Sequence, residues 1–130
     1  MRMRSLVFFG LLITVLLITA PPARTQPAKI PRIGFQLDSP AAALATRIEG
    51  FRQGLRELGY IEGKNIIIEW RSAEGKPERR SEITAELVRL KVDVIVSGGP
   101  TITRIIKETT STIPIVMAQD TDPVGRGFIA

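Results

Sequence analysis

The chain has 130 residues, enough for one compact domain and too few for two domains of ordinary size. With 44% hydrophobic and 24% charged residues, its composition is that of a folded globular protein. The formal net charge of +5 is compatible with a nucleic-acid partner. However, Arg2, Arg4 and Arg24 lie in the N-terminal segment, and the remainder carries 15 basic against 13 acidic residues, with no basic stripe. We therefore predict no nucleic-acid partner.

The missing residue types exclude several kinds of site. Without cysteine, the chain has no disulfide, thiolate metal site, cysteine nucleophile or lipid-modified cysteine. Without histidine, it lacks the usual zinc ligands and Ser-His-Asp catalysis. It also carries neither a Walker loop nor a GxGxxG fingerprint, which argues against a nucleotide enzyme. We predict a protein that is not an enzyme, with no catalytic residues, no cofactor and no metal.

The first residues have the pattern of a secretory signal. A basic start at residues 1–4 is followed by an apolar run at 6–18, then by small residues and prolines. The run is shorter than the ~20 residues that a membrane-spanning helix needs. We predict a signal peptide and leader over residues 1–28 and a periplasmic protein. An uncleaved membrane anchor is the alternative.

The first strand and helix follow this leader. Residues 33–37 form a short apolar run that ends in the turn signal Asp38-Ser39-Pro40, which predicts a strand. Gly59 stands where a left-handed helix C-cap is expected, with Tyr60 as a capping contact. Between them, five apolar residues recur at spacings of three and four and predict one buried helix face: Leu44, Ile48, Phe51, Leu55 and Leu58.

The same alternation continues to the end of the chain. We predict strands at 66–70, 92–97 and 115–117, a helix that begins at Pro77, and another from Pro100 to about Thr109. The order βαβαβαβ predicts an α/β fold, a doubly wound parallel sheet with right-handed crossovers, over residues 29–130. A further helix is expected after the fourth strand, so we expect an incomplete N-terminal lobe of a longer protein. Within the second helix, the predicted apolar face is Ile83, Leu87 and Leu90.

In open α/β sheets the ligand lies beyond the carboxyl ends of the strands, near the topological switch point. Three loops occupy that edge: 36–40, 97–101 and 118–123. The candidate ligand contacts within them are Gln36, Asp38, Ser39, Ser97, Gly98, Gly99, Thr101, Asp120 and Asp122.

These loops also have purely structural interpretations. Gly99 as N-cap and Pro100 as first helical residue would leave free amides for a carboxylate, or simply form a tight turn. Ser39 is either a ligand contact or a helix cap. Asp120 and Asp122 either bind a ligand amine or form a solvated turn, and they are too few for a metal.

The segments 30–35, 49–60 and 63–66 resemble the opening of the ABC-transporter substrate-binding protein family, and 92–96, 111–116 and 122–125 are similar too. The resemblance spans about residues 30–130. It implies a two-lobed, type-I periplasmic-binding-protein-like fold that closes on a small-molecule ligand, with an ABC permease and its ATPase as partners. Some relatives bind aromatic amino acids. This chain departs from the common pattern at 97–100 and 119–121, so we do not transfer their ligands to it.

The pattern and the resemblance together predict an extracytoplasmic solute-binding component of an ABC importer. It would capture a small molecule, an amino acid or related metabolite being one candidate, and deliver it to the permease. Contact with the membrane is then expected through the permease or an uncleaved signal alone. Two alternatives stay open: a ligand-sensing domain of a membrane receptor, and a truncated exported α/β enzyme.

Overall fold

The computed structural model describes residues 28–129, so nearly all of the predicted signal and leader lies outside it. A short 3-10 turn, Ala41–Leu44, precedes the first α-helix. No helix in this range is both long and apolar enough to span a membrane. The predicted βαβαβαβ order is confirmed, with the elements β1 (Arg32–Leu37), α1 (Ala45–Glu57), β2 (Ile67–Ser72), α2 (Pro77–Arg89), β3 (Val94–Ser97), α3 (Pro100–Thr109) and β4 (Ile115–Met117).

The four strands form one parallel sheet in the order β2-β1-β3-β4. Phe35 of β1 is in register with Trp70 of β2 on one side and Val96 of β3 on the other. From β1 the chain passes to β2, then crosses back to β3 on the opposite side of β1. The doubly wound sheet is therefore confirmed, and its switch point lies between β1 and β3.

Helices cover both faces of the sheet, and each face has its own apolar cluster. On one face, α1 packs Ile48, Phe51 and Leu55 against a cluster that includes Phe35 and Val96. On the other, α2 and α3 bury residues against β3. The second cluster consists of Ala73, Ile83, Leu87, Val92, Ile95, Ile102 and Ile106. Since helices pack on both faces, the interior strands must be apolar on both, as the Val- and Ile-rich β3 is.

The end of α1 confirms the predicted cap and corrects the predicted face. Gly59 has a φ of 85°, its amide donates to Arg56 O at 2.9 Å, and Tyr60 N donates to Leu55 O at 2.8 Å. These two bonds form a Schellman motif. Leu58, predicted to be buried, is 75% exposed. That prediction was wrong because the helix ends at Glu57 and the cap turns Leu58 away from the sheet.

Candidate functional site

The three predicted loops meet at one edge of the sheet. β1, β3 and β4 are parallel, and Ser97 is in register with both Gln36 and Met117, so their carboxyl ends lie side by side. A polar cavity of about 450 Å³ opens there, lined by Gly98, Gly99, Pro100, Ala118, Gln119, Asp120, Thr121 and Arg126.

An apolar groove adjoins this polar cavity on the α1 side. The groove measures about 420 Å³ and shares Gly98, Ala118 and Gln119 with the cavity. Its remaining wall comes from β1 and from the N-terminal half of α1, and consists of Phe35, Leu37, Leu44, Arg47, Ile48 and Phe51. The switch point therefore carries a polar and an apolar compartment in direct continuity.

The start of α3 forms one wall of the polar cavity. Gly99 is its N-cap and Pro100 its first residue, as predicted. The bond from Thr103 N to Gly99 O, at 2.9 Å, closes the first turn. The amides of Thr101 and Ile102 precede that bond and therefore have no partner within the helix. Such a helix start favours a negatively charged group.

Ser97 lies beneath this turn and supports it. Its side chain is fully buried. Its hydroxyl lies 2.9 Å from Gly99 O and 2.7 Å from the hydroxyl of Thr103, which is itself 3.1 Å from Gly99 O. One of the two hydroxyls donates to the other, and the second donates to the carbonyl. Thr101, by contrast, is exposed. Of the two hydroxyls predicted to reach a ligand, the one on Ser97 is thus engaged inside the protein.

Gly98 joins the loop after β3 to the end of β1. Its amide donates to Gln36 O at 2.9 Å. A Cβ added at this position would lie 2.9 Å from the same carbonyl oxygen, closer than real Cβ atoms approach backbone. The tight contact explains why a glycine is needed here.

The structure places the loop after β1 mostly away from the cavity. Gln36 is fully buried, and its side chain donates to Arg80 O and accepts from Thr84, each at 2.8 Å. Asp38 accepts two hydrogen bonds from Arg80, at 2.7 and 3.1 Å. Ser39 is exposed, and its side chain does not cap the 3-10 turn, which is preceded by Pro40. Of the two interpretations left open for Ser39, the structure does not support the helix cap.

The two carboxylates in the loop after β4, Asp120 and Asp122, have different partners. Asp122 accepts a hydrogen bond from Gly125 N at 2.9 Å, which closes its own turn. Asp120 lines the polar cavity, accepts from Asp122 N at 2.9 Å and pairs with Arg126 Nε at 3.2 Å. Among residues 28–129 no group of three or more His, Cys, Asp or Glu is placed to hold a metal ion.

Sequence reasoning missed two parts of this edge. Arg126 lies outside every loop that the strand pattern singled out, although a basic residue six positions after Asp120 was a usable signal. The apolar groove was missed because the periodicity of Leu44, Ile48 and Phe51 marks a helix face for burial without showing where that face stays open.

A model of the family described as ABC transporter substrate binding protein matches residues 37–130. The chain belongs to this family. It is 28% identical over 106 residues to a tyrosine-binding protein from Clostridioides difficile, covering 82% of this chain and 31% of that protein. The chain thus spans about a third of the length of this curated relative.

Solved structures agree with this assignment. A conserved domain protein from Vibrio cholerae is 31% identical, with a TM-score of 0.71 over 78% of this chain and 34% of its own. The ligand-free, open structure of a Clostridium difficile substrate binding protein with adhesive properties is 25% identical, with a TM-score of 0.70 over 77% and 34%. A Streptococcus pneumoniae ABC domain in complex with L-Trp shares the fold at 24% identity, with a TM-score of 0.70 over 78% and 34%.

Proposed function

We propose that the chain supplies a ligand-binding lobe of an extracytoplasmic solute-binding protein that serves an ABC importer. The observation that carries this proposal is the polar cavity at the switch point, which opens between the start of α3 and the loop after β4 and continues into an apolar groove. Ligand sites of small molecules are concave and mostly apolar, with a few placed polar groups. The two compartments meet that description.

The ligand we propose is an amino acid or a related metabolite. The free amides at the start of α3 suit a carboxylate, and the apolar groove suits a hydrophobic side chain. The tyrosine-binding relative supports the same class of ligand. A tyrosine specificity is not carried over, because the loops at 97–100 and 119–121 depart from the common family pattern.

The mechanism that we propose is capture by closure, with no covalent chemistry. In the two-lobed architecture that the family resemblance implies, a ligand bound at this edge is buried when the second lobe closes over it. A ligand shifts such an equilibrium by as much as it prefers the closed state. On this view the protein is not an enzyme. Its proposed location is the periplasm, and its proposed partners are a permease and the associated ATPase.

Thermal unfolding of the protein expressed from its complete reading frame tests the proposal. Each of the 20 amino acids is titrated, with sugars and nucleosides as chemically unrelated controls. A true ligand stabilises the folded state by about 2.7 kcal/mol at a hundredfold excess over its Kd, so the midpoint rises with ligand concentration. We expect at least one amino acid to do so and the controls to have no effect. Stabilisation by a sugar or nucleoside alone would contradict the amino-acid assignment.

Uptake measurements test the transport half of the proposal. Cells that lack the gene are compared with complemented cells for accumulation of the labelled amino acid identified in the thermal screen. We expect accumulation at submicromolar ligand to depend on the gene. If uptake is equal in both strains while the purified protein binds, ligand binding stands and the assignment to an importer is wrong.

A further inference from the structure

Asp120 has an unused hydrogen-bonding atom beside the polar cavity. Its side chain is only 2% exposed. Oδ1 accepts from Asp122 N and pairs with Arg126, whereas Oδ2 accepts no hydrogen bond from any residue in the range 28–129. An unsatisfied buried acceptor destabilises the folded state, and native proteins rarely contain one. The donor that Oδ2 needs is therefore not supplied by residues 28–129.

The surroundings of Asp120 indicate the chemistry of that donor. Gly99 and Pro100, at the start of α3, line the same cavity as Asp120. The helix start favours an anionic group. Oδ1 of Asp120 is already paired with Arg126, so it is the unpartnered Oδ2 that favours a cationic donor. One cavity thus presents complementary sites for both charges of a zwitterion, the arrangement that matches the ammonium and carboxylate of an α-amino acid.

Resting on the proposed function, we infer that Asp120 Oδ2 receives the ammonium of an α-amino acid. The ligand carboxylate lies at the amides of Thr101 and Ile102, and its side chain passes Gly98 into the apolar groove. The terminal torsion of an aspartate is broad, so a modest rotation presents the buried oxygen to the cavity. This assigns Asp120, rather than Asp122, as the residue that makes the site select for a primary amine.

The inferred role of Asp120 predicts different affinities for ligands with and without the amine. An amine-free analogue keeps its carboxylate and its side chain, so it still occupies the start of α3 and the apolar groove. It lacks the donor that Oδ2 needs. A hydrogen bond between charged groups contributes about 1.5–3 kcal/mol, which corresponds to roughly a 10- to 150-fold preference for the amine-bearing ligand.

The test is a double-mutant cycle on the protein expressed from its complete reading frame. Calorimetry measures the affinities of wild type and Asp120→Asn for three matched pairs: tyrosine and 3-(4-hydroxyphenyl)propanoate, phenylalanine and 3-phenylpropanoate, leucine and 4-methylpentanoate. For the pairs that bind, we expect wild type to prefer the amino acid at least tenfold. The variant should lose that preference while binding the amine-free acid as wild type does.

Unchanged binding of the amine-free acid by Asp120→Asn shows that the fold and the cavity are intact, which a purely structural role for Asp120 does not predict. Glu108→Gln removes a carboxylate from an exposed position on α3 and should leave the preference unchanged. A preference that survives in Asp120→Asn overturns the inference. So does an amino-acid screen in which no amine-bearing ligand binds, and if a ligand of another class then binds, solute capture itself stands.

Discussion

The hydroxyls of Ser97 and Thr103 lie 2.7 Å apart beneath the first turn of α3, and each lies within hydrogen-bonding distance of the Gly99 carbonyl. One hydroxyl donates to the other, and the second donates to that carbonyl. Ser97 is the last residue of β3, and Thr103 lies in α3 with its side chain buried. The pair therefore links β3 to α3 by a hydrogen bond at the position where the polar cavity begins. Because no water replaces a lost partner at a buried site, each hydroxyl depends on the other.

Thr103→Val removes one hydroxyl of this pair and keeps the shape of the side chain. We expect the free energy of unfolding to fall by about 1–3 kcal/mol, since Ser97 loses a buried partner. Urea unfolding with an unchanged m-value measures the loss. Thr109→Val is the matched control: Thr109 bonds to the carbonyl four residues back, as Thr103 does, but is exposed. That variant should stay within about 0.5 kcal/mol of wild type. Equal losses in both would show that the buried pair adds nothing.

Gly98→Ala places a Cβ against the carbonyl oxygen of Gln36, with 2.9 Å between the two atoms. We expect a loss of about 1–3 kcal/mol, because the loop after β3 must move away from β1. Gly50→Ala is the contrasting substitution within α1, where a Cβ meets nothing within 4 Å. It should stabilise the protein by about 0.5–1 kcal/mol. Thermal unfolding measures both effects, and a Gly98→Ala variant as stable as wild type would contradict the close contact at Gly98.

Glu62 gives the protein a contribution to stability that depends on pH. The hydrogen bond from Arg52, at 2.7 Å, lowers the pKa of Glu62 below its ordinary value of 4.5, with burial opposing this and the bond from Trp70 adding to it. Because the folded pKa is lowered, the contribution is fully present above the ordinary pKa of the unfolded chain and is lost as pH falls through the folded value.

Glu62→Gln should therefore lower the free energy of unfolding near pH 7, and the two proteins should converge in stability as pH falls through the lowered folded pKa of Glu62. We expect the difference at neutral pH to stay below about 1 kcal/mol, because the pair is partly exposed. Trp70, the one tryptophan among the 130 residues, donates to Glu62 and reports unfolding by fluorescence. A difference that remains constant from pH 7 to pH 3 would show that the charge of Glu62 has no part in it.

Leu87→Ala tests the cluster between the sheet and α2. Leu87 is fully buried, and its methyl groups lie 3.0 Å from where a Cβ on Gly34 would stand. We expect a loss of about 2–5 kcal/mol, made up of the lost apolar burial and the cavity that remains. Leu58→Ala, at the exposed end of α1, should cost less than about 0.5 kcal/mol. A large cost at Leu58 would mean that its exposed position is not the one it occupies in solution.

Local patterns were sufficient to predict the elements and their order. Gly59 was recognisable because a left-handed cap needs a glycine, and Pro100 because a proline suits the first helical residue. Leu58 was wrongly predicted to be buried because the apolar helical spacing continues through it. The helix ends before Leu58 in a cap made of backbone hydrogen bonds, which the apolar spacing does not indicate.

Pairings between distant residues were not predictable from one sequence. Gln36 is a polar residue in a strand, and nothing near it indicates that Thr84, 48 positions later, will satisfy its side chain. The pairing of Asp120 with Arg126 across the loop after β4 likewise depends on how that loop folds. The edge at which the polar cavity opens was therefore predictable, whereas the assignment of each polar side chain to the cavity or to the interior was not.

The bond from Gly98 N to Gln36 O has a consequence for the energetics of binding. It connects the loop after β3 to the end of β1 through backbone atoms, next to the parallel pairing that joins the two strands. This wall of the site is therefore preorganised, and an arriving ligand loses little affinity to the entropy of ordering it. For the proposed ligand, selectivity at this edge would then come from a fixed shape that excludes poorly fitting solutes, rather than from a surface that adapts to them.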